Sequence, residues 1–489
     1  MFDSVASLTL APWAYYSLMA VYSLTVILIL VVILSENRNP VKSLAWVTVI
    51  MLLPAVGGVL YLFFGRSIKN KRMISRRNRR RLKRVERYRS VDMSKQDISD
   101  LSRQEVALSG SLARTLYYPG NDIKIFTNGT AKFASLLADI AEAKEYINVQ
   151  YYIFDNDGIG RRVADALMER ASAGVEVRVI YDHVGSLRTP NRFFREMSEA
   201  GVKVYPFFRV NFPSFATRVN WRNHRKLCVN AGRVGYVGGM NIADRYMDGG
   251  KTFQSWRDTH LRVTGPAVAA LQYSFAVDWN FMGQPLIEDA VADTRTGSMG
   301  AQLVTSGPTS QWSNIEFMFV RAIAGARKRI FIQTPYFVPS DALLKAVQTA
   351  ALARVDVRVL MPRRSDSRML TFASFSYIAE CLRAGVKIYL YDAGMLHSKM
   401  LLIDDDITSV GSANFDFRSF EHNFEANLFV YSQEFNRRMA DIFMADLQHS
   451  TRVMASQWGK RPAAQKAAES VLRLLSPVLW PAHNHTLII

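Results

Sequence analysis

The sequence predicts an α/β body made of two like halves related by a pseudo-twofold axis, preceded by a hairpin of two membrane-crossing helices. Three observations carry that prediction. From about residue 115 onward, apolar β-branched runs alternate with amphipathic stretches of helical period. The alternation occurs twice in the same order, and each time it ends in a His-x-Lys segment. Ahead of it stand two long uncharged runs, Trp13 to Leu34 and Leu44 to Phe64.

A chain of 489 residues exceeds one simple core. The composition divides it into a hairpin over residues 1–65, a basic linker over 66–114, halves over 115–295 and 296–455, and a tail over 456–489. The first run has 22 residues, enough to cross about 30 Å of hydrocarbon at about 1.5 Å per residue. The second contains Pro54 and the Gly57-Gly58 pair, which membrane helices tolerate. Trp13, Tyr15, Tyr16, Trp46 and Tyr61 lie near the ends of the runs, at headgroup level. A cleaved signal peptide is a poor reading of the first run: no positive segment precedes it, and a second span follows.

The net charge is +19, and the segment Arg66 to Arg89 holds 13 Lys or Arg against the single acid Glu86. The loop between the spans carries only a slight positive excess, so positive-inside reasoning puts everything after residue 65 in the cytoplasm. A basic arm can hold nucleic acid or anionic lipid; its place directly after a span favours lipid, and no nucleic-acid partner is expected. Cys228 and Cys381 show neither metal-ligand nor disulfide spacing, which suits a reducing compartment.

The repeat is legible residue by residue. The segment 145–152 (EYINVQYY) answers to 329–336 (RIFIQTPY), 173–180 (AGVEVRVI) to 353–360 (ARVDVRVL), and 200–205 (AGVKVY) to 384–389 (AGVKIY). His224 and Lys226 then answer to His397 and Lys399, each pair two apart and so on one side of an extended strand. Asn241 and Asn414 each follow their histidine by 17 residues, in turns that place Gly238 and Gly411 at 14. Of eight histidines these are the two with lysine at i+2, so chance register with an independent repeat is a poor explanation.

Brought together, the halves offer two His, two Lys and two Asn, a cationic, donor-rich site suited to a phosphodiester. Lysine beside each histidine repels a metal ion, and no ligand cluster completes a coordination shell, so neither metal nor other cofactor is expected. One imidazole can attack phosphorus while the other protonates the leaving oxygen, with Lys and Asn stabilising the non-bridging oxygens.

Both motifs resemble the HxK(x)4D…GSxN signature of the phospholipase D superfamily, over nearly all of the chain after the linker. The whole chain resembles the bacterial cardiolipin synthases of the two-span type. Supporting features are the hairpin, the Arg38-Asn39-Pro40 start of the second span, the segments 334–341 (TPYFVPSD) and 414–419 (NFDFRS), and 458–462 (WGKRP) in the tail. The resemblance implies two tandem phospholipase D-like α/β domains in the bacterial cytoplasmic (inner) membrane, multi-pass, with the catalytic part on the cytoplasmic side. It implies condensation of two phosphatidylglycerols to cardiolipin and glycerol through a phosphatidyl-histidine, with phosphatidylglycerol and other anionic phospholipids as partners. It makes His224, Lys226, His397, Lys399 and Asp404 catalytic, Asn241 and Asn414 phosphate-binding, and His224 the nucleophile. Two further acids are expected to orient the rings: Asp258 and Glu425, 34 and 28 residues after their histidines, with Asp258 serving His224.

One position departs from the pattern. Asp404 follows His397 by seven, but the first motif has Ala231 there. The motif aspartate is therefore expected to be mainly structural, supporting the turn after the strand. A phospholipase D-type hydrolase or head-group exchanger would use the same site, and Ala231 with the basic run also fits a non-catalytic lipid- or nucleic-acid-binding protein. Residues 463–480 form an amphipathic segment suited either to interfacial docking or to packing on the body.

Overall fold

The computed structural model describes residues 91–476 apart from 211–219, 251, 290 and 293, together with 40–53, 75–85 and scattered positions between 12 and 73. It divides into two compact units: Met1–Ser67 with Asn211–Asn220, and Ile68–Val210 with Trp221–Ile489. In the first, the helix Pro40–Leu52 is described, and Trp46 meets Tyr61 edge-on at 5.4 Å. Much of both predicted spans lies outside the described residues. Among the described residues no helix is long and apolar enough to cross a membrane.

The second unit holds the α/β body. Its strands, in chain order, are β1 (Tyr118–Phe126), β2 (Tyr146–Tyr151), β3 (Glu176–Asp182), β4 (Lys203–Phe207), β5 (Arg222–Asn223), β6 (Leu227–Asn230), β7 (Val234–Gly238), β8 (Trp256–Arg257) and β9 (His260–Thr264). The second series is β10 (Met299–Ser306), β11 (Arg329–Gln333), β12 (Asp356–Pro362), β13 (Lys387–Tyr391), β14 (Met395–Leu396), β15 (Met400–Ile403), β16 (Ile407–Gly411), β17 (Asn423–Tyr431) and β18 (Ser450–Arg452). One continuous sheet runs β18-β13-β12-β11-β15-β16-β17-β10-β1-β9-β7-β6-β2-β3-β4. From β13 to β4 the order is palindromic, which is the sequence repeat written in space.

In each half three parallel strands (β2-β3-β4 and β11-β12-β13) come first, and antiparallel strands then lead to the centre. There β1 pairs antiparallel with β10, with a bulge between Tyr118 and Asn121, and joins the halves. The inner parallel strands β2, β3, β11 and β12 are mostly buried, as expected when helices cover both faces, whereas the outer strand β4 is exposed at alternate positions. Their crossovers include the helices Gly158–Ser172 and Asp341–Leu352, capped by Asp157 and Ser340.

The linker predicted over 66–114 contains two helices that pack on the body. In Arg76–Val85, Arg81 forms a two-pronged bond to Glu288 (2.9 and 2.5 Å) and Leu82 is buried with Trp279. The helix Asp100–Ala113 has Val106 in the core formed around Asn314–Gly325. In the tail, Ala463–Leu475 sets Leu472 against that core and ties Arg473 to Glu380 (2.7 Å), leaving Val471 and Leu474 exposed.

Candidate active site

Two very short strands build the site. β5 pairs parallel with the start of β17 (Arg222 beside Asn423, Asn223 beside Phe424), and β8 pairs parallel with β14 (Trp256 beside Met395, Arg257 beside Leu396). Both are links between halves, and each leads straight into a motif histidine. The N–H of His224 donates to the Phe424 carbonyl (2.9 Å), and that of His397 to the Arg257 carbonyl (2.7 Å). His224 and His397 therefore lie just ahead of β6 and β15 rather than within them, because their backbones bond across to the other half instead of to the ladder.

That pairing decides which acid meets which ring, and it corrects the expected assignment. Glu425, directly after Phe424, puts both carboxylate oxygens 3.0 Å from His224 Nδ1. Asp258, directly after Arg257, puts Oδ2 2.7 Å from His397 Nδ1. Asp258 thus serves His397 and Glu425 serves His224: each ring is oriented by the opposite half.

The lysines sit behind the rings. Lys226 Nζ donates to the His224 carbonyl (2.5 Å), and Lys399 Nζ to the His397 carbonyl while also lying 2.7 Å from His397 Nδ1. Both ammonium groups are buried. Burial lowers both below their ordinary value, Lys399 to about 8 against the pull of Asp258. Asn241 accepts from the N–H of Ile153 (3.1 Å) and donates to the Tyr246 hydroxyl (2.5 Å), whereas Asn414 donates to Asp416 (3.2 Å). Both asparagines line one cavity with His224 and His397, so the structure brings the two motifs into a single site.

Burial pulls the His224 ring down to about 4, against the attraction of Glu425 and with the help of Lys226. His397 is held well below its ordinary value, again by burial and then by Lys399. A ring so lowered is neutral at pH 7 and can attack, whereas a ring that acts as acid has first to take up a proton. Burial raises Asp258 to about 6, while for Glu425 the nearby His224, Lys226 and the Ser412 hydroxyl outweigh burial and hold the carboxyl below its ordinary value.

Buried ion pairs hold these segments in place. Arg225, next to His224, meets Asp278 at 2.7 and 2.6 Å, and Asp278 also accepts from Gln150 (2.6 Å) and Asn223 (2.9 Å). Arg257, next to Asp258, reaches Asp446 at 3.0 and 2.9 Å. Removing one member of such a pair costs about 3–5 kcal/mol, because the other charge is left buried.

Asp404 is not brought to the rings. It sits at the far end of β15, where its carboxylate accepts the N–H groups of Arg327 (2.9 Å), Lys328 (2.7 Å) and Arg329 (3.1 Å). Ala231 occupies the matching place after β6. Further cavity residues lay outside the sequence reading: Tyr152, whose ring meets His224 at 5.0 Å, its repeat partner Tyr336, and Arg222, Arg418 and Asn423. The tyrosines had a signal, since 152 and 336 align in the repeat, and so had Arg418, which answers to Arg245; Arg222 and Asn423 differ between the halves and had none.

Comparisons with known proteins show the family. A family model described as "Cardiolipin synthase, PLD-like domain" matches residues 136–279 and 319–447, and one described as "Phospholipase_D-nuclease N-terminal" matches 23–66. "Cardiolipin synthase 2" of Bacillus cereus is 39% identical over 468 residues, spanning 94% of this chain and 91% of that protein. "Major cardiolipin synthase ClsA" of Bacillus subtilis is 37% identical over 471 residues, 94% of this chain and 98% of that one. Among solved structures, a phosphatidylserine synthase of Haemophilus influenzae shares the fold, with a TM-score of 0.59 at 13% identity over 78% of this chain and all of that one.

Proposed function

The chain belongs to the cardiolipin synthases of the phospholipase D superfamily, phosphatidyltransferases that condense phosphatidylglycerol to cardiolipin, and we propose how its residues divide that reaction. His224 Nε2 attacks the phosphorus of one phosphatidylglycerol. His397, which takes up a proton as the anionic phosphodiester enters beside it, passes that proton to the departing glycerol oxygen, leaving a phosphatidyl group on His224. His397, now a base, takes the proton from a terminal hydroxyl of a second phosphatidylglycerol, whose oxygen displaces His224 and forms cardiolipin. One phosphodiester replaces another. Asn241 and Asn414 hold the non-bridging oxygens, Lys226 and Lys399 add positive charge from behind the rings, and Glu425 and Asp258 fix the rings so that Nε2 faces the cavity.

The observation that carries this reading is the crosswise pairing: two imidazole rings on one cavity, each with Nδ1 turned to a carboxylate of the other half. We further propose that residues 1–65 anchor the chain in the bacterial inner membrane as a two-span hairpin. The body and the Arg66–Arg89 run would then lie on the cytoplasmic side, where that run gathers anionic lipid.

Purified full-length protein in phosphatidylglycerol micelles should release cardiolipin and glycerol in equal amounts. Phosphatidic acid without cardiolipin would overturn the transferase reading in favour of a hydrolase. His224→Ala and His397→Ala should each lower the rate by about a thousandfold or more. Trapped phosphatidyl label on a His397 peptide would reverse the two roles. The full chain, but not one lacking residues 1–65, should stay in the membrane through alkaline carbonate extraction; release of the full chain would rule out the anchor.

A further inference from the structure

The repeat makes the two ends of the site comparable position by position, and they are not alike. In the parallel pair that leads to His224, Arg222 lies beside Asn423; in the equivalent pair that leads to His397, Met395 lies beside Trp256. Met395 and Trp256 belong to the apolar core, whereas Arg222 and Asn423 line the catalytic cavity. The residue four after each motif asparagine is an arginine in both halves, Arg245 and Arg418. Arg245 pairs with Asp155 (3.5 Å), while Arg418 lines the cavity. Duplication has thus left one flank of a symmetric site apolar and lined the other with two arginines, of which Arg222 is held by the Trp221 carbonyl (2.7 Å) and the Asp182 carboxylate (3.3 Å).

Those groups are built in rather than scattered on the surface. Arg222, Arg418 and Asn423 are 1%, 8% and 8% exposed. Asn423 donates to Glu425 (3.1 Å), and its buried Oδ1, which has no hydrogen-bond partner within the protein, can accept from a hydroxyl of an incoming head group. Burial lowers Arg418 to about 10, against the favourable pull of Tyr152 and Asp416, and the Arg222 charge lowers it further. Two buried guanidinium groups close enough to oppose each other suit an anion shared between them.

The reaction needs such a place. The His, Lys and Asn residues accommodate the phosphodiester that reacts, yet the acceptor phosphatidylglycerol brings a second phosphodiester on the same glycerol as its attacking hydroxyl. We propose that Arg418 and Arg222 form a subsite for the acceptor's phosphodiester and so favour phosphatidylglycerol over an uncharged alcohol. The proposal rests on the transferase reading above. In the step it governs, the acceptor hydroxyl gives up its proton to the basic imidazole and its oxygen bonds to phosphorus. The phosphorus–nitrogen bond to the other imidazole breaks; the chemistry is unchanged when the acceptor is glycerol, which lacks the phosphate.

The test compares charged and uncharged acceptors on the full chain. In the wild type, glycerophosphoglycerol, the head group with its phosphodiester but no acyl chains, should accept phosphatidyl groups at least about tenfold better than labelled glycerol at equal concentration. Arg418→Gln should lower cardiolipin formation about 10- to 100-fold. It should lower exchange of phosphatidylglycerol with labelled glycerol far less, so that the ratio of the two rates falls at least about tenfold. Arg418→Lys, which keeps the charge, should recover part of that ratio. Equal use of the two soluble acceptors by the wild type would overturn the subsite while leaving the transferase reading standing, and so would equal loss of both reactions in Arg418→Gln. A wild type that transfers to neither lipid nor soluble acceptor would overturn both.

Discussion

The two carboxylate–imidazole pairs are made by the same device and tuned differently. Glu425 reaches His224 with both oxygens, takes a bond from the Asn423 amide (3.1 Å), and also accepts from the Ser412 hydroxyl. At the position matching Ser412 the first half has Gly239, and a β-carbon there would lie 2.1 Å from Asp258 Oδ1. The shorter acid therefore occupies the space a side chain would fill, and its protein partners are the Thr259 N–H (2.7 Å) and His397. One carboxyl is held below its ordinary value and the other is raised to about 6. Duplication preserved the geometry while local hydrogen bonding separated the proton affinities, which is how two like groups come to serve as base and acid.

The sharpest way to break this comparison is to neutralise each acid without changing its shape. Glu425→Gln and Asp258→Asn should each lower kcat by about 10²- to 10⁴-fold with little change in KM, since each removes ring orientation and support for the imidazolium. The crosswise pairing adds a readout that a merely structural role would not move. In histidine-labelled protein, Glu425→Gln should shift the ring resonances of His224, and Asp258→Asn those of His397. A shift confined to the other ring in either variant would mean that the pairing is not crosswise in solution.

How far the site could be read in advance follows from what the repeat duplicates. His224, Lys226, Asn241 and their counterparts were legible because identical spacing in two copies is hard to obtain by chance. The palindromic strand order followed from the same copies. The pairing of acids with rings was not legible. Separations of 34 and 28 residues say nothing about partners, and the deciding elements, β5 and β8, are two residues long, too short to show a period. Arg222 and Asn423 escaped for the opposite reason, since they stand where the two halves differ, while Arg418 answers to Arg245 and only its place in the cavity sets it apart.

A smaller effect separates the pairs by pH. Asp258 takes up a proton as pH falls through about 6, while Glu425 remains ionised there. The rate should therefore drop on the acid side near pH 6; Asp258→Asn, at its lower rate, should lack that limb and Glu425→Gln should keep it. For stability the signs differ. Asp258, raised from 3.8 to about 6, makes the fold less stable as pH rises through that window. His224, lowered from 6.5 to about 4, makes it more stable as pH rises through nearly the same range. These two contributions oppose each other, so between pH 6.5 and 5 they should cost activity more than they cost folding. An acid limb that persists in Asp258→Asn would assign it to another group.

The smallest expected effect tests the turn where the halves differ most plainly. Ala231 and Asp404 both have left-handed backbone, with φ of 46° and 47°, and their N–H groups donate to Tyr146 and Arg329 carbonyls at the same 2.9 Å. Asp tolerates that conformation better than Ala, and at 404 its carboxylate also gathers three N–H groups at the entry to β11. Asp404→Ala should cost about 2–3 kcal/mol in denaturant unfolding, by stranding those donors. Ala231→Asp should stabilise by about 1 kcal/mol, from relieved strain and a new cap on the matching N–H groups ahead of β2. Neither substitution touches an imidazole, so the rate of cardiolipin formation per folded molecule should stay within about twofold for Ala231→Asp. A tenfold rise in that variant would instead place the motif aspartate in the reaction and mark the first half as catalytically impaired.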